Sequence, residues 1–159
     1  YWSQYKNKFY VTSDGAYRDK QGLIRIIGRV DDVIKIAGHR ITTGELESAV
    51  ELHPDITESA AIGLPDEIKG ESPVIFVISK TDKSKDLIKQ EVIDLIRKQI
   101  GPIASPKEIY LVKDLPKTRS GKIMRRILKK LFTNEDLGDL STLSNPESVE
   151  EIRKIITQH

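Results

Sequence analysis

The run Val74–Ile78 limits the possible folds of this chain more than any other feature. All five of its residues are apolar, in the order Val, Ile, Phe, Val, Ile. A strand with one solvated face alternates apolar and polar residues, so an unbroken apolar strand is suited to burial on both faces. We therefore predict a buried strand at Pro73–Ser79.

The sequence around this strand supplies further helices and strands. Thr42 to Glu45 has the spacing of a capping box, which predicts a helix that starts there and ends at His53–Pro54. Residues 85–100 place apolar side chains at helical spacing and predict a second helix, stopped by Gly101–Pro102. Further strands are predicted at 56–64 and 108–112, and helices after residue 122 and at 149–156. This order predicts an α+β fold, in which helices pack on a small mixed sheet.

The first thirty residues predict a β-hairpin that precedes this domain. Two short apolar runs, Phe9–Thr12 and Leu23–Ile27, are separated by the turn pair Asp14–Gly15. So short a hairpin cannot form a core, and the chain begins in mid-pattern without Met, so we expect it to be a piece of a larger protein.

A domain boundary is predicted at Asp31 or Asp32. These two acids separate two apolar runs, and a polar junction lets the backbone turn without unpacking a core. We accordingly predict three parts: 1–31 as the end of a large N-terminal domain, 32–132 as a mobile C-terminal domain, and 133–159 as an acidic tail with a short helix.

Composition excludes several functional classes. The 159 residues contain no Cys, which rules out disulfides, thiolate catalysis and cysteine metal sites within them. The three His residues suggest no metal cluster. No apolar run approaches the roughly 20 residues of a membrane helix. We expect a cytoplasmic protein with no metal site and no membrane partner.

The most informative candidate site is the loop Pro116–Lys122. It leads into a basic helix, and residues 117–130 hold seven Lys or Arg and no acid. A lysine on such a loop can carry a compact positive charge to a phosphate or carboxylate on another surface. Lys122 is our candidate for that lysine, and a solvated surface lysine is the alternative.

The basic helix allows a second hypothesis of another class. Residues Arg125–Lys130 could bind nucleic acid or another polyanion in a non-catalytic module. Interleaved aromatic side chains would support base stacking. Phe132 is the only aromatic residue near this helix, which disfavours nucleic acid as a partner.

The motifs together resemble a known family, the adenylate-forming acyl-CoA synthetases, and are closest to its acetyl-CoA synthetase branch. The similarity covers nearly the whole chain. The segments that carry it are Thr12–Gly15, Gly28–Asp32, Gly38–Arg40, His53–Pro54, Ile100–Pro102, Pro116–Arg126 and Leu137–Leu143.

The resemblance implies a reaction in two steps and a catalytic role for Lys122. Members of the family join a carboxylate to ATP, with Mg2+, to give an acyl-adenylate, and CoA then displaces AMP after the C-terminal domain rotates. Lys122 corresponds to the lysine that bridges the carboxylate and the α-phosphate in the first step.

The resemblance also implies binding residues on both sides of the boundary. Asp14 and Arg29 correspond to contacts to the nucleotide ribose, and Arg40 to an arginine near the ATP phosphates. Gly38 corresponds to the glycine beside the pantetheine channel, and Arg97 to an arginine that meets the CoA 3′-phosphate. Asp31 corresponds to the hinge.

Several assignments stay open at this stage. Gly38 could be only a turn glycine, and Arg97 could be an exposed helix charge paired with Asp94 or Glu91. Residues 37–40, followed by Thr43–Gly44, also resemble the propionyl-CoA synthetase branch, so acetate and propionate both remain candidate substrates. The family further implies that acetyltransferases and deacetylases act on the lysine equivalent to Lys122.

Overall fold

The computed structural model describes residue 9, residue 12 and residues 14–133 and 135–158. They fall into two compact units, divided between Val33 and Ile34. Most of the strand predicted at Phe9–Thr12 lies outside the described residues. In the described part of the chain, no helix has the length and apolar character needed to span a membrane.

The first unit contains an antiparallel hairpin. Strand β1 (Asp14–Arg18) pairs with β2 (Ile24–Arg29), with an irregularity between Gly15 and Ala16. A single 3-10 turn, Val30–Asp32, follows β2. The pair Asp14–Gly15, predicted as a turn, instead opens strand β1.

The second unit is built around one mixed sheet. Its strands are β3 (Val33–Ile36), β4 (His39–Thr42), β5 (Ile56–Asp66), β6 (Gly70–Ser79) and β7 (Glu108–Leu111). The sheet order is β4-β3-β6-β5, and β7 pairs with β6 in parallel from Val74 to Val77. β5 and β6 form a long antiparallel hairpin.

Four α-helices and the 3-10 turn Pro102–Ala104 complete the described part of this unit. The helices are α1 (Thr43–Val50), α2 (Lys85–Gln99), α3 (Arg125–Thr133) and α4 (Glu147–Thr157). The predicted capping box is confirmed, because the Thr42 hydroxyl accepts from the Glu45 N–H and the Glu45 carboxylate accepts from the Thr42 N–H. Helix α1 ends at Val50, before the predicted stop at His53–Pro54.

The sheet is buried on both faces, as the apolar run of β6 predicts. Ile75 and Val77 join one core, which includes Leu46 of α1 and Val92 of α2. Val74 and Phe76 join the other. This second core includes helices α3 and α4, through Ile127, Leu128, Val149 and Ile152. The predicted α+β fold, with helices packed on a mixed sheet, is confirmed.

The acidic tail takes part in this second core. Leu137, Leu143, Val149 and Ile152 are all buried there. The tail thus packs on the same sheet as the preceding residues. The division of the chain at residue 132 stays a prediction.

Candidate functional site

Lys122 lies on a short hairpin, residues 117–123, called the lysine hairpin below. The Gly121 N–H donates to the Thr118 carbonyl at 2.8 Å, and the Thr118 N–H donates to the Lys122 carbonyl at 2.9 Å. Gly121 has a φ of 82°, a left-handed conformation suited to glycine. This is the pattern of a three-residue loop in which a type I turn is followed by a glycine bulge. The backbone of Lys122 is therefore held by a defined turn.

The side chain of Lys122 is exposed. Among the described residues, no carboxylate oxygen lies within 4.0 Å of its ammonium. The charge is thus available to a group outside this domain.

The first residue of the hairpin is fixed by two carboxylates. Lys117 Nζ lies 2.6 Å from Glu58 Oε2 and 3.2 Å from Asp114 Oδ1. The Glu58 carboxylate raises the pKa of Lys117, and Asp114 adds to this effect. Burial acts to raise the pKa of Asp114, but hydrogen bonds from Asn145, from the Leu115 N–H and from Lys117 outweigh it and leave that pKa below its usual value. Both groups are therefore charged at neutral pH.

The residue that opens the next helix is fixed as well. Arg125 donates from Nε to Glu47 Oε1 at 2.8 Å and from a terminal nitrogen to Glu47 Oε2 at 2.6 Å. Glu47 Oε1 also accepts from the Ala61 N–H of β5 at 2.8 Å. The lysine hairpin is thus anchored on both of its sides, while Lys122 itself stays exposed.

The basic helix uses several of its charges inside the domain. Besides the Arg125 pair, Lys129 Nζ lies 3.8 Å from Glu71 Oε1, and Lys130 donates to the carbonyl of Asp136. These contacts disfavour the second hypothesis, a polyanion-binding helix.

Gly38 forms part of a two-residue turn between β3 and β4. Ala37 has a φ of 48° and Gly38 a φ of 85°, so both are left-handed, as in the turns that close tight hairpins. The Ala37 N–H donates to the Lys69 carbonyl at 2.7 Å, which fastens the turn to the β5–β6 hairpin. A Cβ built on Gly38 meets no atom within 4 Å. The domain itself therefore leaves space for a side chain at this position.

The sheet separates the Gly38 turn from the lysine hairpin. Lys117 contacts Glu58 near the start of β5, whereas Ala37 contacts Lys69, just beyond the end of β5 at Asp66. Asp66 is eight residue steps along the strand from Glu58, so these two points lie roughly 26 Å apart along β5. The two candidate sites lie at opposite ends of the sheet.

Of the other two predicted residues of this unit, Arg40 lies near the Gly38 turn. Arg40 is exposed on β4, two residues after Gly38. Arg97, also exposed, donates to Ser105 Oγ at 3.1 Å. Two residues after Ser105, the Lys107 N–H donates a hydrogen bond to the Pro73 carbonyl near the start of β6. The structure therefore does not bring Arg40 and Lys122 together.

The carboxylates proposed as alternative partners of Arg97 have other contacts. Asp94 accepts from Gln90 at 3.0 Å, and Glu91 lies 2.8 Å from His53 and 3.1 Å from Lys83. The contact from Arg97 to Ser105 leaves the guanidinium at the surface.

In the first unit, the two predicted nucleotide contacts face each other. Asp14 and Arg29 are cross-strand partners in the β1–β2 register. Directly opposed residues have Cβ atoms about 5 Å apart, so one ligand can contact both. Asp31 lies in the 3-10 turn that follows β2.

One polar cluster has no counterpart in the sequence predictions. Polar atoms of His53, Asp55 and Glu91 lie within 4.8 Å of one another. The ammonium of Lys83 lies 2.9 Å from Asp55 and 3.1 Å from Glu91, so both acids already share an internal cation. No sequence signal predicts this cluster, because Glu91 is 38 residues from His53 along the chain.

The fold and the site define a class of protein: residues 45–122 belong to the family of AMP-binding enzyme C-terminal domains. This match begins within helix α1 and ends at Lys122.

Within this class, the chain is similar to acetyl-coenzyme A synthetases. It is 52% identical over 155 residues to the acetyl-coenzyme A synthetase of Pyrobaculum arsenaticum, a match that covers 97% of this chain and 23% of that protein. The corresponding protein of Candida albicans, acetyl-coenzyme A synthetase 1, is 50% identical over 162 residues, or 98% of this chain and 24% of that protein. The chain thus spans about a quarter of the length of these curated relatives.

A solved structure shares the fold. The crystal structure of an acyl-CoA synthetase from Brucella canis superposes with a TM-score of 0.62 at 38% identity, over 77% of this chain and 23% of that one. The family predicted from the sequence is confirmed.

Proposed function

We propose that this chain is the C-terminal part of an AMP-forming acetate–CoA ligase. In this reaction acetate attacks the α-phosphate of ATP, and acetyl-AMP and pyrophosphate are formed. The CoA thiol then attacks the acetyl carbon, and AMP leaves. The observation that carries the proposal is the exposed ammonium of Lys122 on a hairpin anchored at both sides.

Lys122 acts in the first step. Negative charge accumulates between the carboxylate oxygen and the α-phosphate as they react, and a fixed cation stabilises that charge. A lysine suits this role because its charge is compact and its stem is long.

The other end of the sheet serves the second step. Gly38 has no side chain, so a pantetheine arm can pass close to the backbone of its turn. Arg97 offers a guanidinium to the 3′-phosphate of CoA. Since the two ends lie roughly 26 Å apart along β5, one domain orientation cannot present both to the same reacting atoms. We assign the change of orientation to a hinge at Asp31.

Each unit has its own candidates for nucleotide contacts. Asp14 and Arg29 face each other on the hairpin and are our candidates for the ribose hydroxyls. Arg40 is our candidate for a phosphate contact. Mg2+ binds oxygen ligands, phosphate oxygens included, whereas Lys122 and Arg40 are cations, so we assign no Mg2+ ligand to them.

We further propose that Lys122 is a target of reversible acetylation. An exposed ammonium is accessible to an acetyltransferase, and acetylation removes the charge that the first step needs. Mass spectrometry of the natively expressed protein should detect acetyl-Lys122, and a lysine that is always unmodified would contradict this proposal.

Cell fractionation should find the protein in the cytoplasm, which also remains a prediction.

The proposed activity is tested by ATP–pyrophosphate exchange with the full-length protein. Acetate should support exchange more efficiently than propionate or longer acids do. Preference for propionate would replace acetate by the second candidate substrate, and no exchange with any carboxylic acid would contradict the proposed function.

A further inference from the structure

The tail segment Leu143–Ser148 lies against the base of the lysine hairpin. Thr118 and Leu143 form an antiparallel bridge, and the Ser144 N–H donates to the Lys117 carbonyl at 2.9 Å. The tail thus adds a bridge and a hydrogen bond beside the two segments that carry the turn.

The side chain of Asn145 makes three hydrogen bonds to the residues that lead into the hairpin. Its Oδ1 accepts from the Lys117 N–H at 3.0 Å. Its Nδ2 donates to the Leu115 carbonyl at 2.8 Å and to Asp114 Oδ2 at 2.6 Å. The reversed amide would place donors against the Lys117 donor and an acceptor against two acceptors, so the surroundings fix one orientation. Asn145 is 8% exposed, so water cannot readily replace these bonds.

The position of Asn145 is itself fixed by the tail. Its carbonyl accepts from Ser148 Oγ at 2.7 Å. Val149 and Ile152 follow in helix α4 and are buried in the same core as Leu128 of α3. The packing of helix α4 in this core therefore holds Asn145 in place.

A short series of contacts connects Asn145 with Lys122. Asn145 holds the backbone of Lys117, and the next residue, Thr118, bonds to Lys122 twice. Besides the backbone bond described above, Thr118 Oγ1 accepts from the Lys122 N–H at 3.1 Å. A loss of the Asn145 contacts therefore loosens the backbone that positions Lys122.

We propose that Asn145 is a positioning residue for the acyl-adenylation step, which it serves by fixing the lysine hairpin against the tail. This inference depends on the function proposed above for Lys122. A misplacement of about 1 Å in a reacting group can cost on the order of 100-fold in rate. The Gly38 turn lies at the other end of the sheet, so the second step should not need Asn145.

The test measures both half-reactions in the full-length protein with Asn145→Ala. We expect the kcat of acetate-dependent ATP–pyrophosphate exchange to fall about 10- to 100-fold. Thioester formation from supplied acetyl-AMP and CoA should remain near the wild-type rate. The control, Thr142→Ala, alters an exposed residue of the same tail and should leave both rates unchanged.

Two further variants keep the test decisive. Ser144→Ala removes only the hydrogen bond from Ser144 Oγ to the Lys117 carbonyl, at an exposed position. It should slow ATP–pyrophosphate exchange less than Asn145→Ala does, and it should likewise leave thioester formation unchanged. Asn145→Asp retains the acceptor for Lys117 but places a carboxylate beside Asp114, so it should not restore exchange. Equal loss of both half-reactions, or exchange at the level of Thr142→Ala, would overturn the proposal.

A second measurement does not depend on the reaction. Trypsin cleaves after Arg119 and Lys122, and cleavage there should be faster in Asn145→Ala than in Thr142→Ala at the same far-UV circular dichroism. If the wild type shows no exchange, the proposed function fails, and this cleavage still tests the contact. Unchanged cleavage would overturn the claim that Asn145 fixes the hairpin.

Discussion

Arg125 and Glu47 form an ion pair with two hydrogen bonds at an edge of the sheet. Glu47 lies on helix α1, which packs on one face, and Arg125 opens helix α3, which packs on the other. β5 is the edge strand on this side of the sheet, and its Ala61 N–H donates to the same Glu47 carboxylate. The pair therefore joins both helical layers and satisfies an N–H of an edge strand.

Removal of Arg125 should destabilise the domain. Arg125→Met leaves the largely buried Glu47 carboxylate without its charged partner, and loss of one partner of a buried pair costs about 3 kcal/mol. We expect urea denaturation of the chain to show a decrease of this size in the free energy of unfolding. The exposed neighbour provides a control, because Arg126→Met should change stability by less than about 0.5 kcal/mol. Equal effects of the two substitutions would contradict the assigned role.

The turn between β3 and β4 stores strain at Ala37. A left-handed conformation costs a residue with a Cβ about 1 to 2 kcal/mol, and Asn tolerates it better than most. Ala37→Asn should therefore raise the free energy of unfolding by about 1 kcal/mol. Ala37→Ser, which has no such preference, should stay close to the wild type. A lower stability in Ala37→Asn would show that the turn is not strained.

Gly38 tests whether another surface approaches this turn. Gly38→Ala meets no atom of the domain within 4 Å, so its cost to folding is conformational only, about 1 to 2 kcal/mol. In the full-length protein, Gly38→Leu should slow thioester formation from supplied acetyl-AMP far more than it slows ATP–pyrophosphate exchange. Unchanged thioester formation would contradict a CoA channel beside Gly38.

The Lys83 cluster predicts how stability depends on pH. A hydrogen bond from Lys83 lowers the pKa of Asp55. The pKa of Glu91 is lowered first by its hydrogen bond with His53 and then by Lys83. A group whose pKa is lower in the folded state stabilises the fold above its unfolded value and loses this contribution as pH falls through the folded value.

Stability should consequently decrease below the ordinary pKa values of these acids, 3.8 for Asp55 and 4.5 for Glu91. Lys83→Met should make this decrease shallower, because the two carboxylates then bind protons more readily in the folded state. Urea denaturation between pH 3 and pH 6, chosen to span ordinary carboxyl pKa values, measures the slope. An unchanged slope would contradict the role of Lys83.

Local patterns predicted most of the secondary structure. The apolar run at Val74–Ile78 indicated the doubly buried strand, and the Thr42–Glu45 spacing indicated the capped helix, because both signals depend on neighbouring residues. Strand β4 was missed, since four residues after a tight turn carry too little periodicity. The two central strands are longer than predicted, because β5 continues to Asp66 and β6 begins at Gly70.

The candidate site was predicted only in part. The lysine hairpin stands out as a basic, glycine-bearing segment, and family resemblance gave Lys122 its role. The contacts that anchor the hairpin could not be predicted, because they join distant positions. Asn145 lies 28 residues after Lys117, and Glu47 lies 78 residues before Arg125. An exposed asparagine and a buried one look alike in a sequence.

The most direct test of the account is Lys122→Ala in the full-length protein, measured in each half-reaction separately. Acetate-dependent ATP–pyrophosphate exchange should fall about 100- to 1000-fold, as expected when a fixed group that stabilises transition-state charge is lost. Thioester formation from supplied acetyl-AMP and CoA should persist near the wild-type rate. An equal fall in both rates, or full exchange without this lysine, would contradict the central claim that Lys122 acts in the first step alone.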